Sequence, residues 1–190
     1  LGTVEIQLAE KFIEKIQSLE QMGLNSILRT SARWNFPLLA SGASLGFRRE
    51  WFIRSGGFGK GRKVSSGDDM YLLKQIRDHG GKVVCCRPGT GRVMSGPQHG
   101  ISEYFAQRYR WLSKMAFFPD KSPFILFLSD LAFRLTALFL PLICWLAGSL
   151  HGACFIPLFL KLFIDFLLVF LPAFRSRRQG LLLYLIPGFL

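Results

Sequence analysis

Residues 107–111 read QRYRW, and a few positions later residues 124–150 read FILFLSDLAFRLTALFLPLICWLAGSL. The second stretch is 27 residues long and its only charged side chains are Asp130 and Arg134. A helix needs about 20 predominantly apolar residues to cross the hydrocarbon core of a bilayer, so this run is read as a transmembrane helix. Residues 153–174 form a second such run, charged only at Lys161 and Asp165. Each interruption is a pair of opposite charges spaced i, i+4, which share a helix face and can neutralise each other. They are read as structural ion pairs, the alternative being contact of Arg134 or Lys161 with a lipid phosphate or a sugar chain. Residues 181–190 are read as the start of a truncated third apolar helix. Residues 1–118 then form a separate, water-facing domain that ends in QRYRW.

Composition agrees with this division. Half of the 190 residues are hydrophobic, 19 are Phe, and the formal net charge is +12 with a sequence pI near 10.1. Residues 1–122 hold 19 Lys and Arg against 10 Asp and Glu, whereas residues 123–190 hold 5 against 2. A nucleic-acid binder concentrates such charge on a polar domain without long apolar runs, so a membrane lipid partner is expected here and no nucleic acid. The connector SLHGA between the runs has no Lys or Arg, while RSRR at 175–178 follows the second. The positive-inside rule then places the connector outside and the basic domain in the cytoplasm, the chain being a multi-pass protein of the cell (inner) membrane. Cys85, Cys86, Cys144 and Cys154 fit no metal spacing and are read as reduced thiols. Leu1 follows no visible signal sequence and Leu190 falls within an apolar run, so the chain is expected to be an internal fragment.

Within residues 1–118, Val4, Ile6, Leu8, Phe12, Ile13, Ile16, Leu19 and Met22 predict a helix of about five turns stopped by Gly23. ASGASLGF around Ala43 reads as a strand, RREWFIRSGGF as a short helix ended by Gly56 and Gly57, and SSGDDMYLLKQIRDHGG as a loop and a helix ended at Gly80 and Gly81. KVVCC at 82–86 reads as a short buried strand. Alternating helices and strands suit an α/β layer.

Two stretches carry the chemistry. Asp68 and Asp69 sit where a loop becomes a helix, near the positive end of its dipole, which favours the ionised carboxylate a general base requires. The competing reading is a capping box, Ser66-x-x-Asp69, in which Asp69 serves only backbone amides. In QRYRW, Gln107, Arg110 and Trp111 share one helix face, while Arg108 and Tyr109 point elsewhere. Arg offers a planar fork of donors suited to diphosphate oxygens, Gln a donor and an acceptor, and Trp a flat face for a sugar ring. An interfacial amphipathic helix uses the same residue types. Asp78 and Asp120 are read as taking no part in the site.

These residues resemble the membrane-integrated family 2 glycosyltransferases, which include cellulose, hyaluronan and chitin synthases. The family's catalytic domain ends in a Q-x-x-R-W signature ahead of its membrane helices, matched here by Gln107, Arg110 and Trp111, and its base comes from a glycine-preceded acidic pair, matched by Gly67-Asp68-Asp69. The 38 residues from Asp69 to Gln107 suit that pattern. SGASLGFRREWFIRSGGF resembles the stretch lining the family's acceptor site, with Ser44 where Asn is commoner. The resemblance covers about residues 5–116. It implies an α/β fold, the C-terminal part of a GT-A nucleotide-sugar domain followed by transmembrane helices, and an inverting transfer from a nucleotide-sugar donor, UDP-linked in this family, to a glycan or lipid-linked acceptor.

In that reading Asp69 is the catalytic base, and Asp68, Gly42, Ala43, Ser44, Gln107, Arg110 and Trp111 bind substrate. The family holds Mg²⁺ or Mn²⁺ through a D-x-D motif. None occurs here, so the nucleotide- and metal-binding half is expected before Leu1. Two other readings stand: transfer of a sugar to a polyprenyl phosphate, and a basic anchor for anionic lipid with no enzyme activity.

Overall fold

The structure is a computed structural model describing residues 1–7, 10–58, 67–87, 90–115, 118 and 120–186. Ser66 and the rest of 59–66 lie outside the described residues, so the Ser66 half of the capping box does too. The described chain is mostly helical, with one small parallel sheet.

Strand β1 spans Thr3–Ile6 and helix α1 Phe12–Arg33. The sequence predicted one helix across this region, and the structure divides it. Apolar positions 4, 6 and 8 recur with period two before the spacing turns helical at Phe12, and a strand uses that period to send Val4 and Ile6 inward. Helix α1 starts where Glu14 folds back to accept from the amides of Glu10 (3.0 Å) and Lys11 (3.2 Å). It then runs through Gly23, which was expected to stop it. A lone glycine costs a helix about 1 kcal/mol, less than tertiary packing supplies.

After α1, Gly42–Ser44 form a 3-10 turn, not the expected strand. Helix α2 (Arg49–Arg54) ends before Gly56 and Gly57, and helix α3 (Asp68–Asp78) before Gly80; all three glycines are left-handed. The expected strand at 82–86 is extended chain without a ladder. Among the described residues its backbone-to-backbone bonds are with Leu1, whose amino group donates to the Val84 carbonyl (2.6 Å) and whose carbonyl accepts from the Cys86 amide (2.8 Å). Strand β2 is Arg92–Ser95, parallel to β1 in the register Thr3 to Arg92 through Ile6 to Ser95. Leu1, Leu28, Ala32 and Leu73 form the core beneath α1 and α3.

Helix α4 (Ile101–Met115) carries QRYRW. Helices α5 (Ser122–Leu146) and α6 (Ile156–Arg175) are long and apolar enough to cross a membrane. Most of their apolar side chains, among them Ile125, Phe139, Leu142, Phe159, Phe163 and Leu171, are exposed. These helices point to membrane association. Their four charges do not stay as two separate pairs. Lys161, 1 % exposed, is bonded to Asp165 and lies 3.1 Å from Asp130. Arg134 donates to Asp130 at 2.8 Å and reaches Asp165 at 3.7 Å, closing one interhelical network of zero net charge.

Helix α6 also docks on α1. Met22, Val169, Ala173 and Leu185 form a second buried cluster. Pro172 lacks the amide that would bond the Leu168 carbonyl four residues back, and Ser26 of α1 donates its hydroxyl to that carbonyl (2.6 Å). The third apolar helix expected at 181–190 starts later: Gln179–Tyr184 form a 3-10 turn whose Leu181 and Leu182 pack on the second cluster, Leu185 and Ile186 are helical, and residues 187–190 lie outside the described residues.

Candidate active site

Helix α3 begins at Gly67, whose φ of 96° favours a residue without a side chain. That turn brings Asp68 and Asp69 into the first turn of the helix. The Asp69 carboxylate is held at two points. Oδ1 accepts from the amide of Met70 (2.8 Å), and Oδ2 accepts from the amide of Gly42 (2.8 Å), 27 residues earlier. Asp69 thus bonds one amide of its own helix and one of the GAS turn. Burial pushes the Asp69 carboxyl above the ordinary aspartate range. The two amides offset part of that shift, and the Asp68 charge adds to it.

The QRYRW helix is positioned by α1. Gln17 makes two hydrogen bonds to the backbone of Gln98 just before α4, donating to its carbonyl (2.8 Å) and accepting from its amide (2.9 Å). One turn on, Glu20 accepts from the Tyr104 hydroxyl (3.1 Å) and pairs with Arg108. The Arg108 guanidinium lies over the Trp111 ring, 4.5 Å from its centroid, and over Tyr104 at 4.7 Å. Arg108 was expected to point away from the site. Glu20 instead draws its guanidinium inward, and the two rings stabilise that position through cation–π attraction. One face of Trp111 is therefore occupied by Arg108. The ring remains 39 % exposed and is not sunk among the outward-facing side chains of α5 and α6.

These parts edge a cleft of about 710 Å³. Asp68, Asp69, Ala43, Gln107, Arg108 and Trp111 line it, over a floor that includes Leu24 and Leu28 of α1. Not every expected residue lines it. Gly42 meets the site only through its amide on Asp69. Ser44 turns away and donates to the Gly91 carbonyl (2.7 Å), while its own carbonyl accepts from the Gly2 amide (2.8 Å), tying the turn to the sheet. Any Cβ at Gly2 would lie 1.9 Å from the Ser44 hydroxyl, so this join requires glycine. Arg110 is solvent-exposed and outside the cleft lining.

Asp120 does line the cleft, contrary to expectation, but its carboxylate is engaged. It pairs with Arg77 of α3 and accepts from the Ser122 amide (2.9 Å) at the start of α5. Burial pushes its carboxyl up, and these partners outweigh that and hold it low. Through Asp120, Arg77 fastens the helix bearing Asp69 to the entry of the first apolar helix, and its guanidinium also lies 4.9 Å from the Phe36 ring centroid just after α1. Sequence reasoning missed Glu20 and Arg108, because 88 residues separate them and no spacing rule joins them.

Among the described residues, no three His, Cys, Asp or Glu side chains lie close enough together to hold a metal ion. Comparison of the chain with protein-family models, with curated proteins and with solved structures finds no match.

Proposed function

We propose that this chain carries the base and the acceptor platform of a membrane-bound inverting glycosyltransferase, which moves a sugar from a nucleotide-sugar such as a UDP-sugar to a glycan or lipid-linked acceptor. One observation carries the reading. Asp69, Trp111 and the turn at 42–44 are far apart in sequence, yet the first two edge a common cleft and the third is bonded to the Asp69 carboxylate. Neither an isolated helix cap nor an interfacial helix has a reason to join them.

In this reading Asp69 takes the proton of an acceptor hydroxyl as its oxygen bonds the anomeric carbon. The bond from that carbon to the diphosphate oxygen breaks on the opposite face, inverting the configuration. The Met70 and Gly42 amides fix the carboxylate, and each of its oxygens keeps a lone pair for the proton. The free face of Trp111 supports the acceptor sugar, with Gln107 beside it. Arg110, on the exposed side of α4, is available to the departing diphosphate from outside the cleft.

The direct test is transfer by the full-length protein in membranes, assayed with a panel of UDP-sugars over a range of pH. A base with a raised pKa is protonated, and so inactive, up to a higher pH. The rate is therefore expected to fall as pH is lowered, with its midpoint above the ordinary aspartate range. No transfer from any nucleotide-sugar would remove the proposal, and an acid limb at or below the ordinary aspartate value would remove Asp69 as base.

Orientation is tested separately. In a cysteine-free background, His151→Cys between the two apolar helices is expected to react with an impermeant thiol reagent added outside intact cells, and Gln179→Cys is not. The reverse labelling would put the cleft on the side that lacks nucleotide-sugars.

A further inference from the structure

A second groove, of about 1110 Å³, lies away from the cleft, between α1, the extended segment at 82–87 and the last turns of α6. Its charge is one-sided. Arg29, Arg33, Lys82, Arg87, Arg92 and Arg175 line it, and Glu5 is the single acidic residue among the lining. Glu5 is already paired with Arg92 (3.4 Å), and Arg29 donates to the Cys86 carbonyl (3.2 Å). The side chains of Arg33, Lys82, Arg87 and Arg175 are exposed and have no hydrogen-bond or ion-pair partner among the described residues.

Four cations gathered without counter-charges repel one another, and the arrangement costs free energy unless an anion joins them. The α6 wall identifies the anion. Leu167, Leu171 and Pro172 of α6 line the same groove, and Leu171 is exposed. A soluble phosphate has no use for an apolar wall. A phospholipid has, because its phosphate meets the cations while its acyl chains lie along the helix. The groove sits at the basic end of α6, where Arg175, Arg177 and Arg178 end the apolar run and a headgroup layer would meet it.

We propose that this groove is a binding site for one anionic phospholipid, its phosphate held by Arg33, Lys82, Arg87 and Arg175 and its chains against the terminal turns of α6. The site rests on α6 crossing a bilayer and is independent of sugar transfer. Alkaline carbonate extraction of membranes checks that premise on its own, and a chain released by carbonate would overturn the proposal at its premise while leaving the cleft chemistry untouched.

The test uses the full-length protein in a zwitterionic detergent, titrated with short-chain phosphatidylglycerol or phosphatidylcholine and read by native mass spectrometry. One phosphatidylglycerol per chain is expected to bind in preference to phosphatidylcholine. At about a factor of five per lost surface cation, the triple variant Arg33→Gln, Lys82→Gln, Arg175→Gln is expected to bind it about 10²-fold more weakly. The triple variant Arg48→Gln, Arg49→Gln, Arg54→Gln removes the same charge from an exposed face elsewhere and is expected to bind normally. Equal binding of the two lipids, equal losses in the two triple variants, or full competition by glycerol 3-phosphate at the lipid's own concentration would each overturn the site.

Discussion

Replacing Asp69 by Asn in the full-length protein is expected to leave nucleotide-sugar binding in place and to lower turnover by about 10²-fold or more, the size of a lost general base. Asparagine is nearly the same shape, and its one carbonyl oxygen can still accept from the Gly42 amide, so the turn at 42–44 stays near the cleft. What goes is the second acceptor, which bonds the Met70 amide, and with it all basicity. A residue that acted only as a cap would respond differently. Its loss would cost about 1 kcal/mol of stability and leave turnover at the wild-type level under conditions where the protein is folded. Measuring turnover and melting temperature on the same preparation separates the two. Asp68→Asn is the companion experiment: Asp68 is exposed at the cleft and makes no comparable pair of amide bonds. If Asp68→Asn abolished transfer while Asp69→Asn did not, the base would be the other carboxylate.

The second large effect is expected inside the apolar helix pair. Lys161 is almost wholly buried between Asp165 and Asp130. Lys161→Met deletes one positive charge and leaves two carboxylates sharing Arg134. Breaking a buried ion pair from one side costs about 3–5 kcal/mol, because the remaining charge stays desolvated and uncompensated. The single variant is therefore expected to melt well below the wild type in detergent. Adding Asp165→Leu removes the stranded charge and leaves the Arg134–Asp130 pair at 2.8 Å, so the double variant is expected to recover most of the loss. A single variant as stable as the wild type would mean that the network contributes nothing to holding α5 against α6.

Some of this was legible in the sequence and some was not, for definable reasons. The two apolar runs could be read because length and composition alone decide them. The ends of α2 and α3 could be read because Gly56, Gly57 and Gly80 take up left-handed backbone that few other residues adopt. The four charges of the two apolar helices could be read as pairs within each helix, but not as one network, since spacing along a helix says nothing about the neighbouring helix. The same limit hid Glu20 and Arg108. The split of the first segment into β1 and α1 was missed because Val4, Ile6 and Leu8 satisfy a loose helical count as well as a strict alternation, and only the register with Arg92–Ser95 chooses between them. Around the cleft, Asp69, Gln107 and Trp111 were singled out by the resemblance to a known signature, and the three line one cleft. The outward turn of Ser44 was not, because its carbonyl partner at Gly91 lies 47 residues away.

The segment after α6 returns to the beginning of the chain. Arg178 donates to the Ile6 carbonyl at 2.6 Å, Lys15 donates to the Tyr184 hydroxyl at 2.9 Å, and the Phe12 and Tyr184 rings meet at 5.9 Å. Helix α1 therefore cannot complete its packing when the ribosome has just released it. Its Met22 and Ser26 side stays uncovered until both apolar helices and the 3-10 turn after them have been made. Segments usually fold in the order they are synthesised, but here α1 waits for residues 142 or more positions later in the sequence. Truncation after α5 would thus leave Met22 without the Val169, Ala173 and Leu185 side chains that bury it, so completion of α6 is a condition for completion of α1.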